Sequence, residues 1–120
     1  MYVRSKDQAP ALHNDVTKTL INTIVLNSEA YMEIDDLTCQ YVPTGCAVEV
    51  SMLNFLEFLG TPDIRNLLIM KARNTELVAN IPFCPTRKIM TVAFKITQNG
   101  EETVRVVTKG AAEEVLNMCN

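Results

Sequence analysis

RVVTKGAAEEVL, residues 105–116, joins a strand to a helix with almost nothing between them. β-Branched residues indicate the strand, and the alanines and acids after Gly110 indicate a first helical turn. The unpaired amides of a helix start attract anions, and a glycine lets a ligand approach the backbone. Lys109 and Gly110 therefore have the chemistry of an anion site. The alternative is structural: a lysine that blunts a strand edge and a glycine that makes a sharp turn.

A second stretch, IPFCPTRKIMTV at residues 81–92, precedes another strand. It places Phe83 between two prolines and close to Arg87 and Lys88. An aromatic ring with cations at one end of a sheet suits a nucleotide, whose base stacks and whose phosphates are anionic. Phe83 could equally be a core residue, and Arg87 a solvated surface residue.

The alternation of apolar residues predicts that these two strands form a hairpin around Gln98-Asn99-Gly100. A three-residue turn would place Phe94 opposite Val104, whereas a two-residue turn would place Phe94 opposite Arg105. Apolar pairing favours the three-residue turn. That register places Lys88 opposite Gly110, with Lys109 adjacent, so that two lysines converge.

The earlier part of the chain is predicted to be helical. A first helix is expected to begin at a cap formed by Asn14 and Asp15 and to run to about residue 29. A second helix, with Thr44 as cap, is expected to run through residue 59, and a third, with Thr61 as cap, to about residue 74. The second helix should be largely buried and should end at Gly60. Residues 31–40 are predicted to be a solvated loop, and residues 1–13 a flexible entry segment. Helices followed by an antiparallel sheet with flanking helices give an α+β fold, with residues 14–120 as one domain.

Composition argues against several classes of function. The 120 residues are 48% apolar and carry a formal charge of −3, which gives no basic field for nucleic acid. The longest uninterrupted apolar run covers only residues 67–70, far short of the roughly 20 residues that span a bilayer. Four cysteines without a CxxC pair and a single histidine predict neither a metal site nor a catalytic cysteine.

The two stretches together resemble the paired signatures of the nucleotide-binding domain of P-type cation-transporting ATPases. In that family a phenylalanine precedes an Arg-Lys-x-Met-Ser/Thr-Val strand, and a later strand runs into Lys-Gly-Ala-x-Glu. TLINTIVLNSEAY (19–31) and PTGCAVEVSMLNFLEFLG (43–60) are similar to the preceding helical stretches, most closely those of calcium pumps. The resemblance covers nearly all of the chain after Thr17.

The resemblance implies that Phe83 stacks on adenine and that Met90 lines the same pocket. Lys88 and Lys109 would face the base and phosphate side of ATP, and the backbone at Gly110 would pack against the nucleotide. The chain would deliver ATP (Mg-ATP in the full-length pump) to a phosphorylation domain elsewhere. Its partners would be the phosphorylation and actuator domains of that pump. It would lie on the cytoplasmic side of the membrane as a soluble fragment without direct membrane contact.

Two departures from the family pattern limit this expectation. Where the family has Pro/Ala-Thr-Glu-x-Ala, this chain has Gly45 in place of the acid. The Asp-Lys-Thr-Gly-Thr phosphorylation motif is missing as well, so the chain is expected to be an excised or abbreviated domain that does not hydrolyse ATP alone. The alternative function is a non-catalytic interaction module that has kept the fold and lost the nucleotide; an independent small enzyme is a third hypothesis.

Overall fold

The computed structural model describes residues 14–119, so the predicted entry segment lies outside the described residues. The elements run in the order α1 (Asp15–Leu26), β1 (Tyr31–Asp35), β2 (Gln40–Thr44), α2 (Ala47–Phe58), α3 (Ile64–Asn74), β3 (Thr75–Cys84), β4 (Ile89–Gln98), β5 (Glu101–Gly110) and α4 (Ala112–Met118). The fold is α+β, with antiparallel sheets and flanking helices, as predicted. The described residues divide into two compact units, one up to residue 69 and the other from residue 70 onward.

The first unit is built around the inner face of α2. Leu53 and Leu56 are fully buried there, and Val25, Ala30 and Ile64 complete the cluster. The opposite side of α2 is exposed, so the prediction of a largely buried helix was wrong. The apolar residues of α2 are spread around the helix and do not form a single stripe. Only the residues that face other elements of the first unit are buried.

Helix ends in the first unit follow local hydrogen bonding. Of the two residues predicted to cap α1, Asn14 is the cap, since its side chain accepts the amide of Thr17 at 2.7 Å. The helix ends at Leu26, earlier than the predicted end near Glu29. Thr44 does not cap α2; it ends β2, and Cys46 occupies the N-cap position without a side-chain hydrogen bond. The cap of α3 is Asp63, not Thr61, because its carboxylate accepts the amide of Asn66 at 3.0 Å.

Gly60 ends α2 as predicted, in a left-handed conformation with φ of 84°. The amide of Gly60 donates to the carbonyl of Glu57, and that of Thr61 donates to the carbonyl of Leu56. These two bonds form a Schellman motif, which satisfies carbonyls that the helix leaves unpaired. The Thr61 backbone therefore closes α2 and is not free to start α3.

The predicted loop at residues 31–40 is in fact a hairpin, in which β1 pairs with β2 from Tyr31–Thr44 to Asp35–Gln40. Its turn is held by the carboxylate of Asp35, which accepts the amide of Leu37 and the hydroxyl of Thr38. Polar and apolar residues occupy both faces of this mostly exposed hairpin. It therefore lacks the clean alternation that marks a half-buried strand.

The second unit holds a three-stranded antiparallel sheet in the order β3-β4-β5. Met90, Val92 and Phe94 of β4 are buried on one face, together with Val107 of β5. The Lys71 ammonium lies 5.3 Å from the centre of the Phe94 ring on this unit. The alternation predicted for β4 is therefore confirmed.

The hairpin between β4 and β5 has a two-residue turn, so the predicted three-residue turn was wrong. Phe94 pairs with Arg105, and Gln98 pairs with Glu101 around Asn99 and Gly100. Both turn residues are left-handed, with φ of 52° and 82°, as in the turn whose twist matches that of paired strands. Local turn geometry thus outweighs the apolar pairing on which the prediction rested.

This register turns Val104 and Val106 to the exposed face of the sheet. It also brings Lys95 and Glu102 together on that face, with Nζ and Oε1 2.8 Å apart. A shift of one residue would move Glu102 to the other face and break the pair.

Candidate functional site

Three of the predicted site residues lie in one row across the three strands. Ile81 pairs with Thr91 and Cys84 with Ile89, so an irregularity in β3 sets Pro82 and Phe83 together opposite Met90. On its other side Met90 pairs with Lys109. Directly paired residues share a face of a sheet, so Met90 and Lys109 point the same way.

Phe83 is not a core residue, because its side chain is 58% exposed. The guanidinium of Arg87 donates to the carbonyl of Pro82 at 2.9 Å, which ties the β3–β4 turn back onto the strand beside the ring. The structural alternative for Phe83 is therefore removed. An exposed aromatic ring on an ordered strand is available for stacking.

Met90 is buried and Lys109 is half-buried. Their neighbours Thr91 and Thr108 point to the opposite face, where the two hydroxyls hydrogen-bond at 2.9 Å. Met90 thus lies between the strand that carries Phe83 and the strand that carries Lys109.

Lys88 lies at the same end of the sheet, in the turn between β3 and β4. Its φ is 57°, and its amide donates to the carbonyl of Cys84 at 2.7 Å. The side chain is half exposed, and its Nζ lies 3.9 Å from Oε1 of Glu113. A pair so long and so accessible to water leaves the ammonium open to other anions.

The predicted pairing of Lys88 with Gly110 was wrong by one position, because the turn at Asn99 is one residue shorter than expected. Ile89 pairs with Gly110, and the carbonyl of Lys88 accepts the amide of Ala111 at 3.0 Å. The two lysines still lie at one end of the sheet. That amide is engaged, however, and Glu113 and Glu114 stand in the first turn of α4, so the helix start offers less to an anion than the sequence suggested.

Gly110 allows β5 to pass close to the backbone of β4. A Cβ at this position would overlap the carbonyl oxygen of Lys88 and would lie 2.8 Å from the Cα of Ile89. The absence of a side chain here accordingly has a structural cause that does not involve a ligand. Contact of the Gly110 backbone with a nucleotide stays a prediction.

Cys84, which the sequence analysis did not single out, is the most perturbed thiol at this end of the sheet. Hydrogen bonds from the backbone amides of Arg87 and Thr86 lower the pKa of its thiol from 9.0 to about 7. The signal in the sequence is the spacing Cys-Pro-Thr-Arg, which lets a tight turn aim amides at the sulfur.

In the first unit, Gly45 occupies the position where the family has an acid. Its φ is 145°, and an added Cβ would lie 3.2 Å from the Cα of Ala30. Glu49, four residues later, does not supply a free carboxylate, because it is buried and accepts the amide of Glu29 at 3.1 Å. Its role is to hold the chain that follows α1.

A small polar cavity of about 200 Å³ lies at the other end of the three-stranded sheet. Its lining includes Arg73, Glu76, Lys95 and Glu102. Acids and bases are mixed there, and no aromatic ring lines it, so it does not match the row at Phe83.

Within residues 14–119 no helix is both long and apolar enough to cross a membrane. The same residues contain no cluster of three or more histidine, cysteine or acidic side chains that could hold a metal ion.

Comparison with known proteins supports the resemblance. A search of curated proteins found no significant match. The family model for the cytoplasmic domain N of P-type ATPases matches residues 16–120, which include every predicted site residue. The chain therefore belongs to the family of P-type ATPase cytoplasmic N domains.

Proposed function

We propose that the chain binds ATP at the end of the three-stranded sheet, between Phe83 and Lys109. In this proposal it is the nucleotide-binding domain of a cation-transporting P-type ATPase, most similar to calcium pumps. It delivers Mg-ATP to the phosphorylation domain of the same pump, whose actuator domain is a further partner. Its place is on the cytoplasmic side of a membrane-embedded pump.

The observation that carries the proposal is the row formed by Phe83, Met90 and Lys109. An exposed ring offers a stacking surface, a buried thioether offers an apolar floor, and an ammonium two strands away offers a charge. Lys88 adds a second cation at the same end. The ring and the thioether suit the adenine base, and the two ammonium groups suit the phosphates.

The residues at hand support only weak binding. Stacking of one base contributes about 1–3 kcal/mol, and each charge-assisted hydrogen bond about 1.5–3 kcal/mol. Association costs at least about 4 kcal/mol. Because about −4.1 kcal/mol corresponds to a millimolar dissociation constant, we expect ATP to bind near or above millimolar. Gly45 offers no acid that could improve this value.

The test is an ATP titration followed by amide NMR shifts on the whole chain. Shifts should concentrate at Phe83, Lys88 and residues 109–111. Phe83→Ala should weaken ATP binding about tenfold, since it removes the stacking surface. Phe58→Ala is the matched control, because Phe58 is 60% exposed against 58% for Phe83 and lies outside the row.

Measuring the free energy of unfolding of the same variants distinguishes a loss of ATP binding from a loss of folding. Phe83→Ala should lower the free energy of unfolding by less than the roughly 3–5 kcal/mol that a core phenylalanine costs. Lys109→Ala should weaken ATP binding, whereas Lys18→Ala, at an exposed position on α1, should not. Equal effects of Phe83→Ala and Phe58→Ala on ATP binding would refute the site.

A second candidate function is a non-catalytic interaction module with the same fold. The backbone at Gly45 favours it, because φ of 145° and the nearby Ala30 leave no easy place for the acid that the family uses. On this alternative, several millimolar ATP would cause no localised shifts. The third hypothesis, an independent enzyme, predicts phosphate release that Lys109→Ala abolishes.

A further inference from the structure

Backbone contacts hold Lys88 beside the first turn of α4. The carbonyl of Lys88 accepts the amide of Ala111 at 3.0 Å. Ala111 is the N-cap of α4, and Glu113 stands in the first turn of that helix. Gly110 permits this contact, because a Cβ there would overlap the carbonyl oxygen of Lys88. The position of Glu113 near Lys88 therefore follows from the backbone and does not require the two side chains to attract each other.

The side chains of Lys88 and Glu113 carry opposite charges at this contact. Nζ of Lys88 lies 3.9 Å from Oε1 of Glu113, and the two side chains are 53% and 66% exposed. The separation is longer than a hydrogen bond, so the interaction is mainly Coulombic. The carboxylate thus weakens the field of the ammonium without engaging its N–H donors at hydrogen-bonding distance.

We propose that Glu113 competes with the phosphates of the nucleotide for Lys88, and so limits how strongly the site prefers ATP to adenosine. This inference rests on the proposed ATP site between Phe83 and Lys109. A phosphate is the stronger partner for the ammonium, because its charged oxygens can accept hydrogen bonds at short distance. ATP must nevertheless displace the attraction of Glu113 and bring its own negative charge close to that carboxylate. Adenosine has no phosphate and meets neither cost.

Glu114 provides a matched comparison on the same turn. Both acids stand in the first turn of α4, where a negative charge interacts favourably with the helix dipole. Within residues 14–119 no ion pair joins Glu114 to a basic side chain. Adjacent residues of a helix do not face the same neighbour. Replacing either acid by glutamine therefore changes the helix end in a similar way, whereas the change at Glu113 acts more strongly on Lys88.

The first test is an ATP titration of the whole chain followed by amide NMR shifts. Glu113→Gln should bind ATP about two- to fivefold more tightly than the wild type, the range that an exposed ion pair supports. Glu114→Gln should bind ATP as the wild type does, and all three chains should bind adenosine equally. Unchanged ATP affinity in Glu113→Gln, or an equal gain in Glu114→Gln, would overturn the inference.

Ionic strength distinguishes a charge effect from a change of structure. Salt screens interactions between exposed charges, with a Debye length of about 30 Å at 0.01 M and about 3 Å at 1 M. The ratio of ATP affinities between Glu113→Gln and the wild type should therefore approach unity as salt is raised over this range. A ratio that does not depend on salt would assign the gain to altered structure and would contradict the competition.

A double-mutant cycle with Lys88→Met separates competition for the ammonium from general repulsion of phosphate. Adding Glu113→Gln to the Lys88→Met chain should give a smaller gain in ATP affinity than adding it to the wild type, because no ammonium remains to compete for. Equal gains in the two backgrounds would show that Glu113 repels the phosphates directly, and the competition would then be wrong.

Inorganic tripolyphosphate separates this inference from the nucleotide site, because it carries phosphate charges without a base. It should shift the amides around Lys88 at lower concentration in Glu113→Gln than in the wild type. If it does so while ATP causes no shift at Phe83, the nucleotide site is refuted and the competition stands. If ATP shifts Phe83 but Glu113→Gln responds to both ligands as the wild type does, the nucleotide site stands and the competition is refuted.

Discussion

At the scale of single residues, the geometry at the lysine end of the three-stranded sheet depends on a glycine, Gly110. Gly110 lets β5 come against the backbone of Lys88 and Ile89, and the Ala111 amide then bonds to the Lys88 carbonyl. This contact fixes the turn that carries Lys88 relative to the strand that carries Lys109. The glycine thus positions the two lysines relative to each other, whether or not a ligand binds there.

Gly110→Ala should therefore destabilise the fold by about 1–3 kcal/mol, the usual cost of forcing atoms into a packed region. Urea unfolding measures the loss, and amide shifts should spread to Lys88 and Ile89. Gly100→Ala is a useful comparison, because a Cβ there would meet no atom within 4 Å and only the left-handed backbone, with φ of 82°, would be strained. Its shifts should remain at the turn. If Gly110→Ala left the free energy of unfolding unchanged, the close approach of β5 to the backbone of Lys88 and Ile89 would not exist in solution.

The thiol of Cys84 gives the fold a pH dependence. Its pKa is lowered to about 7 in the folded chain against an ordinary 9.0, so between these values the unfolded chain binds more protons. The free energy of unfolding should therefore rise from pH 7 to pH 9, and this contribution should be lost as pH falls through 7.

Urea unfolding over this pH range under reducing conditions, compared with Cys84→Ser, isolates the contribution of the thiol. Every other titrating group is common to both chains. If the difference between them does not change with pH, the amides of Thr86 and Arg87 do not stabilise the thiolate.

At the scale of elements, the sequence was most informative where a pattern had one physical cause. The α+β class and the β4 strand followed from apolar periodicity, and the end of α2 followed from Gly60. The β1–β2 hairpin could not be predicted in this way, because Tyr31, Ile34 and Tyr41 are exposed and no buried face imposes alternation. Asp35 and the turn that it stabilises were the available signal.

The candidate site was predicted from the sequence only in part. Phe83, Met90 and the lysines could be assigned to one end of the sheet because strand order and turn position determine which residues become neighbours. The register between β4 and β5 could not be predicted, since it depends on whether Asn99 adopts a left-handed conformation. Two irregularities in β3 also have no counterpart in its apolar pattern, and one of them brings Phe83 opposite Met90.

Asn99 is thus expected to control the hairpin. Asparagine tolerates a left-handed conformation, whereas alanine pays about 1–2 kcal/mol for it. Asn99→Ala should lower the free energy of unfolding by about that amount, and Asn99→Gly should lower it less. Chemical unfolding measures both. Equal stability of the alanine and glycine variants would favour a turn in which residue 99 is not left-handed.

At the scale of the whole molecule, the two units use their apolar residues differently. The first unit closes a cluster around Leu53 and Leu56, both without exposed surface. The second unit buries one face of its sheet and leaves Val104 and Val106 of the other face in water. Stability of the first unit should therefore respond strongly to core truncation, whereas binding should respond to surface changes in the second.

Leu53→Ala tests this division most directly. Removing a fully buried leucine side chain costs about 2–5 kcal/mol, because the transfer free energy is lost and a cavity remains. The change should appear in amide exchange of residues in α1 and α2, which reports on the first unit by itself. Leu20→Ala is the matched control, since Leu20 is exposed on α1 of the same unit and alanine favours the helix. A loss at Leu20 equal to that at Leu53 would mean that the apolar cluster does not hold this unit together.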